Sequence, residues 1–350
     1  MVSKKRILLP LAILTILTLI GYLVVRRWSE TPYGKLDPKT AVLLKYIEFK
    51  GIDLFEEGRS IAQIREFSAK NSALLRPTAV VVKEVVDRTI PGPDGRIPVR
   101  IYTPEGDERF PIIIYYHGGG WIIGNLDSHD GICRLLANKV KAVVVSVDYR
   151  LAPEHPFPAA FNDSYAALRW VSKNGSLLGG ESSLIFVAGD SAGGNLAAAV
   201  SLASRNRNGP TIRGQILIYP ATDLSRFETD SHNYFQKGYY LTRRYMERFR
   251  ALYLPDPREW ANVYASPALA IDVSNLPAAF VLTAQFDVLR DEGEMYAKRL
   301  REAGVPVKSV RVEGVLHGFF SMGRVFGQFD ESIVDIAEFV QSKRRSEIPE

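Results

Sequence analysis

Short apolar runs alternate with longer amphipathic segments along most of the 350-residue chain. Eight runs rich in β-branched residues predict strands, and from the third run onward segments with apolar residues at helical spacing predict helices between them. Strands that are almost uniformly apolar and alternate with helices are typical of a mostly parallel sheet covered on both faces, whereas the first two runs alternate as antiparallel edge strands do. The predicted strands are Val80–Val86, Ile97–Tyr102, Ile112–Tyr116, Ala142–Val147, Leu184–Val187, Gln215–Tyr219, Ala279–Thr283 and Lys308–Val312, and the predicted helices are Asp127–Val140, Ala159–Lys173, Ala192–Arg205, Arg290–Ala303 and Glu331–Lys343.

The N-terminal part of the chain has a different pattern. Residues 7–25 are an uncharged run of 19 residues between two basic clusters, Lys4-Lys5-Arg6 and Arg26-Arg27. As a helix this run is about 28 Å long, the thickness of a bilayer's hydrocarbon core. A cleaved signal peptide is less favoured because the run is long and no small-residue cleavage site follows it, and a buried helix because the run is apolar on all faces. We therefore expect a single-span membrane anchor, with the flanking charges favouring a body on the non-cytoplasmic side.

Three regions follow from these patterns. Residues 1–27 are expected to form the anchor, residues 28–77 N-terminal cap helices, and residues 78–350 an α/β domain. An insertion at about 223–275 interrupts the alternation of strands and helices and is rich in tyrosine and phenylalanine. Most of these aromatic residues are expected in the core of connecting helices. The same residues also suit a cap over a pocket, shared with the N-terminal helices.

Composition excludes several classes of protein. The net charge is +5, but residues 1–30 hold five basic and one acidic side chain, which leaves +1 for the other 320 residues. No basic surplus therefore remains for a surface that follows a phosphate backbone, and nucleic-acid binding is excluded. The single cysteine, Cys133, rules out an intrachain disulfide and a cysteine-built zinc site. The sequence predicts neither a metal nor a cofactor.

A nucleophile motif follows the fifth predicted strand. Gly189-Asp-Ser191-Ala-Gly193 stands between the apolar run Leu184–Val187 and a helix that begins near Ala192. A sharp strand-to-helix turn exposes the serine hydroxyl at the carboxyl end of the sheet, and glycine on either side lets strand and helix approach closely. The short motif alone is a weak signal, but its strand–turn–helix context makes Ser191 a candidate nucleophile.

A glycine-rich loop follows the third predicted strand as His117-Gly118-Gly119-Gly120-Trp121. Consecutive glycines are costly in backbone entropy, and their use here is to direct backbone N–H groups at an oxyanion without side chains in the way. Gly119, Gly120 and the Ala192 amide are the candidate donors. His117 is expected to brace this loop rather than to transfer protons.

A serine nucleophile needs a base and an acid that orients it, and in this strand order both follow late strands. Asp287 comes at the end of the strand Ala279–Thr283 and is the candidate acid, whereas Asp291 and Glu292 fall in the first turn of the next helix. His317 follows the last predicted strand and is the candidate base. The other histidines, which lie in less suitable positions, are His129, His155 and His232.

Taken together, the motifs resemble the hormone-sensitive-lipase-like branch of the α/β-hydrolases, which includes arylacetamide deacetylase-like esterases and many microbial carboxylesterases. The matching segments are His117–Trp121, Asp148–Ala160, Gly189–Gly194, Asp287–Gly293 and His317–Phe319. The resemblance implies the α/β-hydrolase fold with an N-terminal cap, Ser191, Asp287 and His317 as the catalytic triad, and an oxyanion hole around Gly118, Gly119, Gly120 and Ala192. Val288 departs from the proline that usually follows the acid, and Arg150 and Glu154 are expected to have structural roles.

The leading hypothesis is a membrane-anchored serine carboxylesterase or deacetylase that hydrolyses short- to medium-chain acyl esters without a cofactor. Amides and lipids suit the same chemistry, so the physiological substrate stays open, as does the oligomeric state. The alternative is a non-catalytic small-molecule receptor on the same fold, as in the gibberellin receptors of this branch. Those receptors lack the histidine, so His317 argues against this alternative. A structural membrane protein with a vestigial site is a third possibility.

Overall fold

The computed structural model describes residues 4–345, and the side chains of residues 14–344. The strands are β1 (Glu30–Thr31), β2 (Gly34–Lys35), β3 (Glu84–Gly92), β4 (Gly95–Thr103), β5 (Phe110–Tyr116), β6 (Val143–Val147), β7 (Gly180–Asp190), β8 (Gly214–Ile218), β9 (Ala278–Phe286) and β10 (Val307–Leu316). The α-helices are α1 (Lys4–Ser29), α2 (Pro38–Lys50), α3 (Ile61–Ala73), α4 (Asp130–Leu135), α5 (Ala159–Asn174), α6 (Ala192–Asn206), α7 (Asp230–Tyr234), α8 (Arg243–Tyr253), α9 (Arg290–Glu302) and α10 (Gln328–Arg345). Short 3₁₀ turns and one π-helical segment, Leu136–Lys141, complete the described elements.

The central sheet has eight strands in the order β10-β9-β8-β7-β5-β6-β4-β3. Neighbours from β10 to β6 are parallel, while β4 is antiparallel to both β6 and β3. The predicted eight-stranded, mostly parallel sheet and its antiparallel edge are confirmed. The carboxyl ends of the parallel strands meet at one edge, where loops from several strands come together.

The sheet separates two apolar layers. Along β5, Ile112 and Ile114 face one layer and Ile113 and Tyr115 the other, as the two-residue period of a strand requires. Side chains of α5, α6 and α9 fill the first layer, and side chains of α4 and α10 fill the second. Helices on both faces of a parallel sheet explain why its central strands are apolar along their whole length.

Helix α6 lies closest to the sheet. Every residue from Ala192 to Ser204 in this helix is buried, and most of them are alanine, glycine or serine. Small side chains allow the helix backbone to pack directly on β7 and β8. This packing places the N-terminus of α6 at the carboxyl end of β7, where the candidate nucleophile stands.

The cap has two parts that contact each other. Asp53, between α2 and α3, accepts hydrogen bonds from Tyr245 (2.8 Å) and Arg244 (2.5 Å), both on α8. Phe55 packs edge-on against Phe249 of α8, with ring centroids 5.0 Å apart. Four of the nine tyrosine and phenylalanine residues in the insertion are buried, and three more are half-buried and pack against the core, so the expected core positions are seen in part. The buried ones are Phe227, Phe235, Phe249 and Tyr253, and the half-buried ones are Tyr239, Tyr245 and Tyr264.

The first strand of the sheet and one helix differ from the predictions. β3 begins at Glu84 and extends to Gly92, beyond the predicted Val80–Val86, because it pairs with β4 through a tight turn. As an edge strand it has one neighbour and exposes most of its side chains, so its second half carries no apolar signal. The predicted helix Asp127–Val140 is instead a 3₁₀ turn, α4 and the π-helical segment.

Helix α1 contains residues 7–25, the run predicted to anchor the chain in a membrane. Among the residues that the structure describes, none of the helices combines the length and the apolar character needed to cross a membrane. The span predicted at 7–25 is therefore not supported. Its residues 7–13 lie outside the part of the chain whose side chains are described.

Candidate active site

Ser191 occupies a strained turn between β7 and α6. Its backbone φ is 54° and its ψ is −116°, in a region that residues with a side chain rarely adopt. The Ser191 amide donates to the Ile218 carbonyl oxygen at 2.8 Å, which fixes the turn to β8. A Cβ on Gly193 would lie 1.8 Å from the Tyr116 carbonyl oxygen, and one on Gly189 would lie 2.4 Å from the Gly193 backbone. Only glycine fits at the positions two residues before and two residues after this serine.

The three side chains predicted to react together are in hydrogen-bond contact. The Nε2 atom of His317 lies 3.0 Å from the Oγ atom of Ser191, and its Nδ1 atom lies 2.7 Å from Oδ2 of Asp287. Asp287 is completely buried, and its Oδ1 atom accepts a hydrogen bond from the Leu289 amide at 2.9 Å. Both carboxylate oxygens therefore have fixed partners. The orientation of the imidazole follows from that of the carboxylate.

The turn after Asp287 is held by the cap. Val288 is buried, and its carbonyl oxygen accepts a hydrogen bond from the Ser231 hydroxyl at 2.8 Å. The Ser231 amide donates to Oδ2 of Asp291 at 2.7 Å. These contacts with the start of α7 fix the turn without a proline. They also give Asp291 a partner other than His317.

The glycine-rich loop leaves two backbone amides free. Gly119 and Gly120 have φ values of 125° and 58°, and a Cβ on either would lie within 2.3 Å of Ile123 or Phe249. Within the described part of the chain, the amides of Gly119, Gly120 and Ala192 have no acceptor. The Ala192 amide is at the N-terminus of α6, where backbone N–H groups lack helical partners. These three amides are available to an oxyanion.

The Gly118 amide, also predicted at the oxyanion hole, has another partner. It donates to Oδ1 of Asp190 at 2.9 Å, and the Tyr115 hydroxyl donates to the same oxygen at 2.8 Å. His129 places its Nε2 atom 3.2 Å from this carboxylate. Although burial by itself raises the pKa of Asp190, the nearby His129 and these hydrogen bonds lower it on balance. Asp190 therefore fixes the glycine-rich loop to the nucleophile turn.

His117 braces the loop by packing. It is fully buried, its ring stacks on Tyr149 with centroids 4.3 Å apart, and the Tyr149 hydroxyl donates to its carbonyl oxygen at 2.6 Å. Burial, together with the neighbouring His129, lowers the pKa of His117 to about 3. The imidazole is therefore neutral at ordinary pH, and it is not in contact with Ser191.

Glu292 and His232 form a second buried pair beside the site. Their Oε2 and Nε2 atoms are 3.4 Å apart, and both side chains are almost fully buried. Oε1 of Glu292 accepts hydrogen bonds from the amides of Thr222 and Asp223, at 2.6 and 3.3 Å. Burial raises the pKa of Glu292 well above its usual range and lowers that of His232 to about 4. Glu292 therefore joins α9 to the loop after β8, and its contact with His232 joins α9 to α7.

The segment Asp148–Ala160 contributes structure around the site. Arg150 forms ion pairs with the buried Asp163 (2.8 Å) and with Asp94 (2.9 Å). Glu154 pairs with Arg65 of the N-terminal cap at 2.6 Å. Neither Arg150 nor Glu154 contacts the three central side chains. Within the described residues, no group of three or more histidine, cysteine, aspartate or glutamate side chains could hold a metal ion.

Comparison with known proteins agrees with this geometry. The model of the alpha/beta hydrolase fold family matches residues 113–321. The carboxylic ester hydrolase LipN of Mycobacterium tuberculosis is 41% identical over 299 residues, 83% of this chain and 79% of that protein. The arylesterase of Saccharolobus solfataricus is 40% identical over 248 residues, 71% of this chain and 80% of that protein. A solved esterase of Pyrobaculum calidifontis is 42% identical with a TM-score of 0.82, and covers 88% of this chain and 98% of its own.

The chain therefore belongs to the α/β-hydrolase fold family. Within that family, the predicted membership of the hormone-sensitive-lipase-like branch of serine esterases is confirmed. The prediction that the protein is a hydrolytic enzyme of the carboxylic-ester type is confirmed as well.

Proposed function

We propose that the protein is a serine carboxylesterase that uses Ser191, His317 and Asp287 as a catalytic triad and passes through an acyl-enzyme. One observation carries this proposal: two consecutive hydrogen bonds, of 3.0 and 2.7 Å, join the Ser191 hydroxyl to the buried Asp287 carboxylate through His317. A hydroxyl, an imidazole and a carboxylate in this order form the arrangement that activates a serine for acyl transfer.

In the first half of the reaction, Nε2 of His317 accepts the Ser191 proton while Oγ attacks the ester carbonyl carbon. The resulting imidazolium is stabilised by Asp287 at its Nδ1 side. The carbonyl oxygen becomes an oxyanion that accepts hydrogen bonds from the amides of Gly119, Gly120 and Ala192. Donors fixed in this way act mainly on the transition state, because the negative charge is absent from the ester itself.

Acylation is completed when Nε2 of His317 gives its proton to the leaving alcohol, and the acyl group stays on Ser191 as an ester. A water molecule then loses a proton to the same Nε2 atom and attacks the acyl carbon. The carboxylic acid leaves and Ser191 regains its proton. A small-molecule receptor needs only a binding pocket. The two hydrogen bonds that join Ser191, His317 and Asp287 therefore favour the enzyme over this alternative.

The surroundings of the site support short- to medium-chain acyl or aryl esters as substrates. The Phe249 ring lies against Gly120, where a Cβ would be 2.3 Å from it, and the Tyr240 ring lies against Gly318, where a Cβ would be 3.3 Å from it. Aromatic rings thus stand next to both the oxyanion loop and the base. The relatives include the arylesterase and an ethyl acetate hydrolase of Pseudomonas putida, which is 34% identical over 309 residues.

A series of p-nitrophenyl esters from acetate to palmitate tests the substrate class. We expect kcat/KM to be highest between acetate and octanoate and at least about tenfold lower for palmitate, because a longer chain loses conformational freedom on binding without gaining a further fixed contact in the transition state. The release of p-nitrophenol, followed by absorbance, measures this. Activity that is highest with palmitate would contradict the proposed substrate range, and a Ser191→Ala variant that keeps more than about a hundredth of the parental kcat on any of these esters would contradict the triad.

Side chains are described for residues 14–25 of the predicted run 7–25, and these alone are too few to span a membrane. We further propose that the complete run attaches the chain to a membrane, with its body on the non-cytoplasmic side. The described end of α1 supports this proposal, because its large apolar side chains are exposed rather than packed on the body. Seven of these side chains are more than half exposed: Leu14, Ile16, Leu17, Leu19, Ile20, Tyr22 and Leu23.

Membrane attachment predicts that the full chain stays in the membrane pellet after a carbonate wash. A variant with Leu17→Arg and Ile20→Arg should move to the supernatant, because charged residues in the middle of the span are unfavourable in the bilayer. Immunoblotting of both fractions measures the distribution, and protease added outside right-side-out vesicles tests which side the body faces. Recovery of the unmodified chain in the supernatant would refute the attachment.

A further inference from the structure

The oxyanion loop, residues 117–123, is held from two sides. On its inner side, the Gly118 amide donates to Asp190 and the His117 carbonyl oxygen accepts from Tyr149. On its outer side, the contact comes from the N-terminal cap: Nε of Arg65, on α3, donates to the Ile122 carbonyl oxygen at 2.9 Å. The cap thus makes a directed hydrogen bond to the backbone of the loop.

Arg65 uses its whole guanidinium group in this contact. Nη2 donates to the Ala152 carbonyl oxygen at 3.0 Å, and Nη1 and Nη2 pair with the two oxygens of Glu154 at 2.9 and 2.6 Å. The Ala152 amide in turn donates to the Trp121 carbonyl oxygen at 2.9 Å. One planar group therefore joins α3 to the oxyanion loop and to the loop that lies beside it. A lysine could not reproduce this fork of donors.

The position of Ile122 bears directly on the oxyanion donors. The amides of Ile122 and Ile123 both donate to the Gly119 carbonyl oxygen, at 3.1 and 3.0 Å. That carbonyl belongs to the peptide unit that carries the Gly120 N–H, so its orientation sets the direction of this donor. A shift of Ile122 would turn the donor away from the place where the oxyanion forms.

We propose that Arg65 is a positioning residue that couples the N-terminal cap to the oxyanion hole, by holding the Ile122 carbonyl and, through it, the Gly119–Gly120 peptide. The proposal rests on the serine esterase function set out above. The hydrogen bonds of Arg65 go to Ile122, Ala152 and Glu154 and not to Ser191, His317 or Asp287. Its ion pair with Glu154 is partly exposed and is worth little by itself, so the bonds to the two carbonyl oxygens carry the effect.

Arg59 provides a matched control in the same cap segment. Its guanidinium donates to the carbonyl oxygens of Asp53 and Leu54, pairs with Glu56 and lies over the Phe67 ring. All four partners belong to the cap. An arginine-to-lysine change here disturbs the same kind of contacts without touching the oxyanion loop.

The test compares Arg65→Lys with Arg59→Lys in the full chain. We expect Arg65→Lys to lower kcat for p-nitrophenyl butyrate by about 10- to 100-fold with KM changed less than about threefold, because a misdirected oxyanion donor affects the transition state more than the bound ester. Arg59→Lys should change kcat by less than about twofold. The values of kcat are expressed per active site titrated with a fluorophosphonate, so loss of folded protein does not contribute.

Glu154→Gln supplies a second variant that leaves the two carbonyl bonds of Arg65 in place. Its kcat should stay within about threefold of the parent value, because an exposed ion pair contributes little. Equal kcat for Arg65→Lys and Arg59→Lys, or a rise in KM with kcat unchanged, would overturn the positioning role. An inactive parent that also fails to react with the fluorophosphonate would instead refute the esterase function, and this is seen before any variant is compared.

Discussion

Replacing Ser191 with alanine is expected to lower kcat for p-nitrophenyl butyrate by about 10⁴-fold or more, down to the level that the oxyanion donors alone provide. In the proposed mechanism the Oγ atom of Ser191 forms the acyl-enzyme, and it lies 3.0 Å from Nε2 of His317. Alanine keeps the Cβ and leaves the backbone turn and its bond to Ile218 intact. Initial rates over a range of ester concentrations measure the loss.

Ser201→Ala is the matched control for this experiment. Ser201 is a buried serine on α6, the helix that follows Ser191, and its hydroxyl donates to the Ala197 carbonyl oxygen at 2.9 Å, away from the site. Its kcat should remain within about twofold of the parent value, because local side-chain-to-backbone bonds within a helix contribute little. If Ser191→Ala kept more than a hundredth of the parental kcat while Ser201→Ala behaved normally, another residue would have to be the nucleophile.

Asp287→Asn is expected to lower kcat by about 10⁴-fold while the fold is retained. The Leu289 amide donates to Oδ1, so an asparagine would place its carbonyl oxygen there and its NH₂ group against Nδ1 of His317. Nδ1 of the imidazole would then accept a hydrogen bond from the NH₂ group, and the imidazole would carry its own proton on Nε2. In that tautomer His317 cannot accept the proton of Ser191.

Asp291→Asn serves as the control for the acid. Asp291 is four residues further along and accepts a hydrogen bond from the Ser231 amide, but it does not contact His317. Its replacement should lower kcat by less than about tenfold, through small shifts of the turn. Steady-state kinetics and thermal unfolding of both variants separate loss of chemistry from loss of structure. A larger loss for Asp291→Asn than for Asp287→Asn would mean that the acid is misassigned.

The parts of the molecule that the sequence predicts best are those with a local signal. The central strands are apolar along their length because both faces of the sheet are covered, so they stand out in the chain. The residues of the proposed triad follow their strands in the order that this fold requires, and the position at the end of its strand favours Asp287 over Asp291. The edge strand β3 lacks such a signal, since its polar second half is defined by pairing with β4.

Contacts between distant segments could not be predicted in this way. Asp190 stands inside the nucleophile motif, yet its partners Tyr115 and His129 lie 75 and 61 residues away in the chain. The bond between Arg65 and Ile122 joins residues 57 positions apart. No periodicity marks such pairs, because they depend on how the cap and the loops pack. In the sequence, the one sign that could have drawn attention to Asp190 is an acidic residue between two small residues, directly after an apolar strand.

Reaction with a fluorophosphonate is the direct test of Ser191 as the nucleophile, because the probe forms a bond to the Oγ atom that the proposed triad would activate. This assignment of Ser191 predicts that intact-mass measurement of the folded chain shows one probe per molecule, that peptide mapping places it on Ser191, and that Ser191→Ala gains no mass. A folded parent that takes up no probe, or a Ser191→Ala variant that takes up as much as the parent, would contradict it.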